Sequence, residues 1–354
     1  MTAITLTVDQ LTRPQPGGIA TYVRGLIQGL ADVDPKLELV GVGPWSTPRV
    51  DGLTKLRRLP LPISALTLLW SRMDCGISGS DIAHATSLTG PFGNGDVGSR
   101  SAIIQDLLWR DFPEYFTNRG RSFHERAFQK VLMHEELKIV VTSKGMRSRL
   151  LGEGVAAERV SIVRLGTSPA SVKDDASMNE VLATAGVSGP FILTVGTIEP
   201  RKNLNRLAEA YRSVPDIPPL LVVGATGWGV VDTRGLTLLG VQSNTVLAAL
   251  REKAQAHVFV PIAEGWGLPA VEALAVGKPL LVSSSVPSSQ GRSDAIVVNP
   301  ESVEDIAEGL TRVLSLSDDE ESRRERIRSV TDLTWKQCAQ DHLSAWGIPF
   351  AAAF

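Results

Sequence analysis

The sequence predicts an α/β protein in which two doubly wound parallel sheets follow each other along the chain and face across a cleft. Short apolar runs alternate with stretches of helical periodicity, which favours parallel strands covered by helices on both faces. The 354 residues exceed what one ordinary domain needs. A polar stretch, Gly166 to Pro190, separates two series of such runs. We therefore predict two Rossmann-like domains with a boundary in that stretch.

The first series predicts a domain of residues 1–167. Its strands are expected at Ile4–Val8, Leu37–Val42, Asp81–Ala85, Ala102–Gln105, Ile139–Thr142 and Val160–Val163. After the first strand, the turn-forming stretch Arg13–Gly18 leads into a helical pattern, Ile19–Leu30. Gly17-Gly18 is a candidate anion site at a helix start, or else a flexible turn, because it lacks the spacing of a dinucleotide fingerprint. The apolar segment Ser64–Met73 is interpreted as a core helix.

The second series predicts a domain of residues 168–334. Its strands are expected at Phe191–Val195, Pro219–Val223, Leu236–Leu239, His257–Val260, Leu280–Ser283 and Ala295–Val298. A charged segment, Asp318–Arg328, is interpreted as a solvated helix. The last helical pattern, Thr334–Trp346, belongs to a predicted helix of about residues 335–354 that packs back on the first domain.

Composition narrows the class of protein. An apolar fraction of 43%, a charged fraction of 21% and a net charge of −2 are typical of a soluble globular protein and give no reason to expect a nucleic-acid partner. Cys75 and Cys338 are too few for a disulfide framework. The first residues lack a signal-peptide pattern, and no apolar run is long enough to span a membrane. We expect a cytoplasmic protein; peripheral contact with the inner face of the plasma membrane and the oligomeric state stay open.

One stretch organises the second domain, because a predicted strand ending at Val260 leads through a glycine-bearing turn into a helix. Pro269 stands at the expected helix start, and Gly277 and Pro279 at its end. Unpaired N–H groups at such a start suit a phosphate. Glu264 and Glu272 bracket the turn, so each could bind hydroxyls on one side of a bound diphosphate. This pairing suggests a nucleotide sugar.

Arg201 and Lys202 follow the strand that ends at Val195. Two adjacent cations at a helix start can neutralise a diphosphate and stabilise the charge that develops on it as a leaving group. Taken alone they would be surface residues. Their combination with the Glu264–Glu272 stretch favours a shared site.

These stretches resemble one known family. Gly196–Leu204, Gly224–Gly229 and Glu264–Pro269, with glutamates at a Glu-x7-Glu spacing, look like the retaining glycosyltransferases of family 4, which have the GT-B fold. The resemblance extends over nearly the whole chain, since Gly17-Gly18 and Gln105-Asp106-Leu107 fall where that family places loops of its acceptor domain.

The resemblance implies a retaining transfer of a mannose-, glucose- or GlcNAc-type hexose from a GDP- or UDP-linked sugar, in polysaccharide biosynthesis. The acceptor would be a hydroxyl of a glycan or lipid-linked sugar bound by the first domain. The implied front-face mechanism uses no metal and no further cofactor, since the leaving phosphate oxygen takes the acceptor's proton. Glu264 would contact the donor sugar and Glu272 the ribose. The diphosphate and sugar would be held by Gly17, Gly18, Thr197, Arg201, Lys202, Gly265, Trp266, Gly267 and Leu268.

Two departures from the family keep a second hypothesis open. Thr197 stands where many members have Arg, so Arg201 would supply the charge. Gln105 stands where many have His, ahead of Asp106, and glutamine can donate a hydrogen bond but cannot carry a proton. Gln105 and Asp106 are catalytic candidates, and the departure at Gln105 implies altered donor choice, reliance on Asp106 or reduced catalysis. The last of these gives the alternative, a catalytically weak regulatory subunit that binds nucleotide sugar. An epimerase or phosphorylase ranks third. The histidines show no metal spacing, and Asp32-Val33-Asp34 is interpreted as a turn.

Overall fold

The computed structural model of the protein divides into two compact units. The first domain comprises Met1–Gly166 with Leu333–Phe354, and the second comprises Thr167–Asp332. The structure describes residues 2–13, 17–70, 72–93, 95–167, 172–292 and 295–350. The predicted turn residues 14–16, the linker residues 168–171 and the end of the predicted last helix, 351–354, lie outside this part. The first crossing between the units lies one residue before the predicted boundary.

The first domain contains, in its described residues, a sheet of seven parallel strands in the order β3-β2-β1-β4-β5-β6-β7. The strands are β1 Ala3–Thr7, β2 Glu38–Pro44, β3 Lys55–Leu59, β4 Ser80–Ala85, β5 Val97–Ile104, β6 Lys138–Val141 and β7 Val160–Ile162. The helices are α1 Gly18–Val33, α2 Ile63–Trp70, α3 Leu108–Asp111, α4 Asn118–Met133 and α5 Lys144–Gly152. The strand order reverses between β1 and β4, which is where ligands bind in open α/β sheets.

The second domain has, in its described residues, a six-stranded parallel sheet in the order β10-β9-β8-β11-β12-β13, with its reversal between β8 and β11. The strands are β8 Ile192–Val195, β9 Leu220–Val223, β10 Thr237–Gly240, β11 Ala256–Phe259, β12 Leu280–Ser283 and β13 Ala295–Val298. The helices are α6 Asp175–Thr184, α7 Leu204–Ser213, α8 Asn244–Lys253, α9 Leu268–Ala275, α10 Val303–Leu314 and α11 Glu320–Arg328; α12, Trp335–Trp346, follows. No helix within the described ranges is long and apolar enough to cross a lipid bilayer.

The predicted fold class is confirmed. Each predicted strand is present; the Val, Ile and Leu side chains of the central strands are buried between helical layers, while the edge strands β10 and β13 stay partly exposed. The strand β3 was not predicted, since its sequence Lys-Leu-Arg-Arg-Leu is charged and its residues stay partly exposed at the sheet edge. Helix α9 begins at Leu268 rather than at Pro269, which occupies its second position. Gly277 follows this helix at φ +75°, as expected for a helix end.

The last helix, α12, packs on α1 of the first domain, as predicted from the Thr334–Trp346 pattern. Two glycines on α1 make the approach close. A Cβ atom on Gly25 would lie 2.1 Å from Cδ2 of Trp335, and one on Gly29 would lie 2.1 Å from the Trp335 carbonyl oxygen. Any larger residue at either position would therefore force the helices apart.

A buried polar network joins α1, β4 and α12 inside the first domain. Tyr22 Oη lies 2.8 Å from His84 Nε2 and 2.9 Å from His342 Nε2. His342 Nδ1 lies 2.8 Å from the Cys338 carbonyl, which only accepts, so Nδ1 carries the proton and Nε2 accepts from Tyr22. Tyr22 then accepts from His84 Nε2–H, and His84 Nδ1, 3.0 Å from the hydroxyl of Ser101, accepts from it. Burial lowers the pKa of His84, and that of His342 to about 4, so the network is neutral and fully hydrogen-bonded.

Candidate functional site

The structure brings Arg201, Lys202 and Glu264 together at the switch point of the second domain. β8 and β11 are neighbours in the sheet, and the connection after each strand carries part of the cluster. Because parallel strands end at the same edge, residues 62 or 63 positions apart in sequence become contacts. The cluster thus lies at the edge of the sheet where ligands bind in such folds.

Four charged side chains form the cluster. Arg201 Nη1 lies 2.8 Å from Glu264 Oε1, and Arg201 Nη2 lies 2.6 Å from Glu199 Oε1. Lys202 Nζ also donates to Glu264 Oε1. Burial raises the pKa of the Glu264 carboxyl. The charges of Lys202 and Arg201 and their hydrogen bonds lower it by more than burial raises it, so the pKa lies below the ordinary value. Glu264 is therefore ionised at neutral pH.

The two cations have different surroundings. Arg201 bridges two carboxylates and also donates to the Ala263 carbonyl at 3.2 Å, so its guanidinium joins the two connections. Lys202 Nζ lies 5.3 Å from the centre of the Phe259 ring. Its side chain also lines a cavity of about 10 Å³ together with Gly196 and Thr197, enough room for one water molecule. Lys202 is thus the cation next to the small cavity at the carboxyl end of β8.

Asn203 fixes the backbone beside these cations. It adopts a left-handed conformation at φ 61° and is buried. Its side-chain nitrogen donates to the carbonyls of Val260 at 3.0 Å and Pro300 at 2.7 Å. These bonds tie the connection after β8 to the end of β11.

Serine side chains that follow β11's neighbour β12 or end it fix the glycine turn before α9. Ser283 and Ser285 donate to the Pro261 carbonyl at 2.7 and 2.9 Å, and Ser288 donates to the Gly267 carbonyl at 3.0 Å. Gly267 has φ +98°, and a Cβ there would lie 2.3 Å from Cγ1 of Val286. The indole nitrogen of Trp266 is buried and has no hydrogen-bond partner among the described residues. Serine hydroxyls therefore fix the turn, and the Trp266 N–H is not used by any described residue.

The motif Gly224–Gly229 packs against the connection that carries Thr197. A Cβ on Gly224 would lie 1.9 Å from the Gly196 carbonyl oxygen, and one on Gly227 would lie 2.7 Å from Cγ2 of Thr197. Ile198 N donates to the Ala225 carbonyl at 2.8 Å. The glycines thus let two connections run side by side.

Glu272 lies apart from the four-residue cluster, in the second turn of α9. Its Oε2 accepts from Arg251 Nη2 of α8 at 2.5 Å. Both side chains are mostly buried. The predicted ribose contact at Glu272 thus involves a carboxylate that already has a cationic partner.

The remaining predicted residues lie in the first domain. Gly17 is the N-cap of α1 and Gly18 its first residue, and a Cβ on Gly17 would meet nothing within 4 Å. Gln105 directly follows β5, and its side-chain nitrogen is buried without a hydrogen-bond partner in the described part of the chain. Asp106 Oδ1 accepts from Leu108 N at 3.2 Å, at the start of α3. The predicted turn at Asp32-Val33-Asp34 is wrong for its first two residues, which form the last turn of α1, and Asp34 is the C-cap of that helix.

Sequence reasoning missed Glu199, Asn203 and Arg251. Glu199 is 2% exposed, although a glutamate before proline in a loop resembles a surface residue. Its position two residues before Arg201 was the available signal. In the described ranges, no three His, Cys, Asp or Glu side chains are grouped so that they could hold a metal ion.

The chain is similar in sequence to known glycosyltransferases. Residues 185–330 match the family model of glycosyl transferases group 1. The O-antigen chain mannosyltransferase B of Escherichia coli is 25% identical, with 66% of each chain covered. The serotype-specific mannosyltransferase WbdA of the same organism is 29% identical over 46% of this chain, which spans only 21% of WbdA.

Two solved structures show the same fold. Sucrose-phosphate synthase from Thermosynechococcus elongatus has a TM-score of 0.75 at 17% identity, with 98% of each chain covered. WaaG, a glycosyltransferase involved in lipopolysaccharide biosynthesis, has a TM-score of 0.68 at 15% identity, covering 98% of this chain and 99% of its own. The chain therefore has the GT-B fold, and residues 185–330 of its second domain are similar to glycosyl transferases group 1.

Proposed function

We propose that the protein is a retaining hexosyltransferase, which moves a hexose from a nucleotide diphosphate sugar to a hydroxyl of a glycan or lipid-linked acceptor. The cluster of Arg201, Lys202 and Glu264 at the switch point of a domain similar to glycosyl transferases group 1 carries this proposal. Mannose is the proposed hexose, on the strength of the mannosyltransferases among the relatives. The donor base, guanine or uracil, is part of the test.

The reaction breaks the bond between the anomeric carbon and a phosphate oxygen. Negative charge then grows on the nucleoside diphosphate, while positive charge grows on the sugar ring. We assign Lys202 to the phosphate oxygens, because its ammonium has three donors and lies beside the small cavity at the carboxyl end of β8. A diphosphate that takes over Lys202 leaves Glu264 paired with Arg201 alone, and the ionised carboxylate would then accept from a hydroxyl of the sugar.

The remaining roles follow from the resemblance. N–H groups from Gly265 to Leu268 would hold the sugar or phosphate at the start of α9, and Glu272 the ribose hydroxyls. The leaving phosphate oxygen would accept the proton of the attacking hydroxyl on the same face, so that the anomeric configuration is retained. Positive charge from Lys202, with Arg201 beside it, would take the place of a metal ion, so we expect chelators to leave turnover unchanged.

Release of nucleoside diphosphate from purified protein tests the proposal. The protein is incubated with GDP-mannose, UDP-glucose or UDP-N-acetylglucosamine, with and without glycan acceptors. We expect one donor to turn over, and Glu264→Gln to abolish turnover while circular dichroism stays unchanged. Glu209→Gln removes an exposed carboxylate from α7 and serves as the matched control. Full turnover by Glu264→Gln would refute the assignment of this site.

A regulatory subunit that binds nucleotide sugar without transferring it remains the second candidate. The observation that favours it is Gln105, whose buried amide nitrogen lacks a partner among the described residues and which cannot carry a proton. Tight binding of a donor without release under any condition would support this candidate. Gain of turnover in Gln105→His would support it further, whereas loss of turnover in Gln105→Ala would assign Gln105 a role in transfer.

A further inference from the structure

A cavity of about 370 Å³ lies in the first domain, outside the cluster described above. Its wall includes four hydroxyl side chains, one cation and one aromatic ring: Thr12, Ser64, Thr67, Thr89, Arg13 and Phe123. Thr12 and Thr89 lie on the connections after β1 and β4, the two strands that flank the switch point of this sheet. The volume is near the lower end of the range for small-molecule sites, roughly 300–1,000 Å³. Position and size both suit one small ligand unit.

Three of the four hydroxyl groups of the wall present acceptors rather than donors. Thr12 donates its proton to the Asp9 carbonyl at 2.6 Å, and Thr67 donates to the Ile63 carbonyl at 2.8 Å. Thr89 donates to Asp9 Oδ2 at 3.0 Å. Thr89 Oγ1 also accepts from the Ser87 hydroxyl at 2.7 Å, but each of the three oxygens keeps at least one lone pair, so the wall is matched to a ligand that offers several O–H groups.

Charged and orphaned polar groups surround the same cavity. Arg13 is exposed at its rim and acts electrostatically on both Asp9 and His124. Asp9 is fully buried, and its Oδ1 has no hydrogen-bond partner within the described residues. His124 follows the cavity residue Phe123, and its Nδ1 is also buried without a partner there. Burial lowers the pKa of His124, which leaves the Arg13 guanidinium as the cation of this wall.

We propose that this cavity binds the terminal sugar unit of the acceptor, and that this unit carries one anionic group, a phosphate or a carboxylate. The proposal rests on the proposed transferase function, because it gives that function its second substrate. The sugar hydroxyls donate to Thr12, Thr67 and Thr89, and the ring lies against Phe123. The Arg13 guanidinium binds the anionic group through charge-assisted hydrogen bonds.

Equilibrium binding to the full chain tests the proposal without any transfer step. The probes are hexose 6-phosphate, a methyl hexuronoside, a neutral methyl hexoside and inorganic phosphate, measured by calorimetry. Arg13→Gln should weaken the anionic sugars by about tenfold or more and leave the neutral hexoside unchanged. Arg24→Gln, which removes an exposed cation from α1, is the matched control.

Thr67→Val removes an acceptor oxygen and keeps the shape of the side chain. It should weaken all the sugar probes about three- to tenfold. Thr184→Val is the matched control, since Thr184 makes the same 2.8 Å bond to its own helix and is exposed in the second domain.

The outcomes separate this inference from the proposed function. Binding that depends on Arg13 and Thr67 supports the cavity even if no donor turns over, and the stronger of the phosphate and carboxylate probes identifies the anion. Equal affinity in both variants and wild type would place the ligand elsewhere and overturn the inference. Inorganic phosphate binding as tightly as hexose 6-phosphate, or no binding by any sugar, would overturn it as well.

Discussion

The two domains place different chemistry at equivalent points of their sheets. In the second domain, the connections after β8 and β11 carry carboxylates and cations that pair with each other, and Lys202 also lines a cavity of only about 10 Å³. In the first, the connections after β1 and β4 carry hydroxyls and a buried carboxyl beside a cavity of about 370 Å³. One switch point is closed by its own charges, and the other is open.

This difference implies that ligand affinity would depend on different interactions in the two domains. A diphosphate entering the second domain has to compete with Glu264 for Lys202, so affinity there depends on exchange of one anion for another. A ligand entering the first domain meets acceptor oxygens whose own protons are already bound. We therefore expect salt to weaken binding in the second domain more than hydroxyl recognition in the first.

The largest expected effect comes from removing the cation that closes the second site. Lys202→Met keeps the length of the side chain but removes the charge for the leaving group, so turnover should fall about 10²- to 10³-fold. Lys253→Met removes an exposed cation from α8 and is the control. Steady-state release of nucleoside diphosphate measures both. Turnover near the wild-type level in Lys202→Met would mean that the pairing with Glu264 serves the fold alone.

The next effect contrasts one glycine from each domain. Gly267→Ala forces a left-handed residue into contact with Val286 and should lower the free energy of unfolding by roughly 2–4 kcal/mol. Gly17→Ala adds a methyl group to open space at φ −91° and should change stability by less than about 0.5 kcal/mol. Urea unfolding measures both variants. A large loss for Gly17→Ala would show a packing role that the structure lacks.

Sequence patterns revealed the closed site better than the open one. Charged residues such as Glu264 and Lys202 stand out because each follows an apolar strand. Glu199, the second carboxylate that pairs with Arg201, was missed because its burial is visible only in the folded structure. The cavity of the first domain was missed because Thr12, Thr67 and Thr89 are common residue types scattered over three separate segments. Strands were predictable from their apolar runs, except the charged edge strand β3.

Acid should destabilise the first domain through its buried histidines. The pKa of His342 is about 4 in the folded protein and near 6.5 when unfolded, so the unfolded chain binds more protons below pH 6.5. Stability is complete above pH 6.5 and is lost as the pH falls toward 4; His342 alone should contribute about 2 kcal/mol between pH 7 and 5.

Measuring unfolding by denaturant at pH 7 and pH 5 tests this dependence, with His342→Asn as the comparison. The variant should lose that part of the pH dependence. Burial also lowers the pKa of His257 in the second domain to about 4, so the pH dependence that His257 contributes should persist in His342→Asn. An unchanged difference between the two pH values in His342→Asn would contradict the neutral network.

The smallest effect should come from one hydroxyl of that network. Tyr22→Phe leaves His84 Nε2–H without its acceptor and His342 Nε2 without its donor, which should lower the free energy of unfolding by about 1–2 kcal/mol. Tyr211→Phe removes the hydroxyl of a half-buried tyrosine in α7 and is the control. Thermal unfolding followed by circular dichroism measures the difference. Equal stability of Tyr22→Phe and wild type would show that water replaces the hydroxyl.

The return of α12 to the first domain affects the order in which the chain can fold during synthesis. The chain leaves the first domain after Gly166 and re-enters it at Leu333. At about 5–20 residues per second, roughly 10 to 30 seconds pass on the ribosome between these two points. Through that interval the glycine surface of α1 has no Trp335 to cover it. The second domain, although later in the sequence, is therefore the one that can complete its core first.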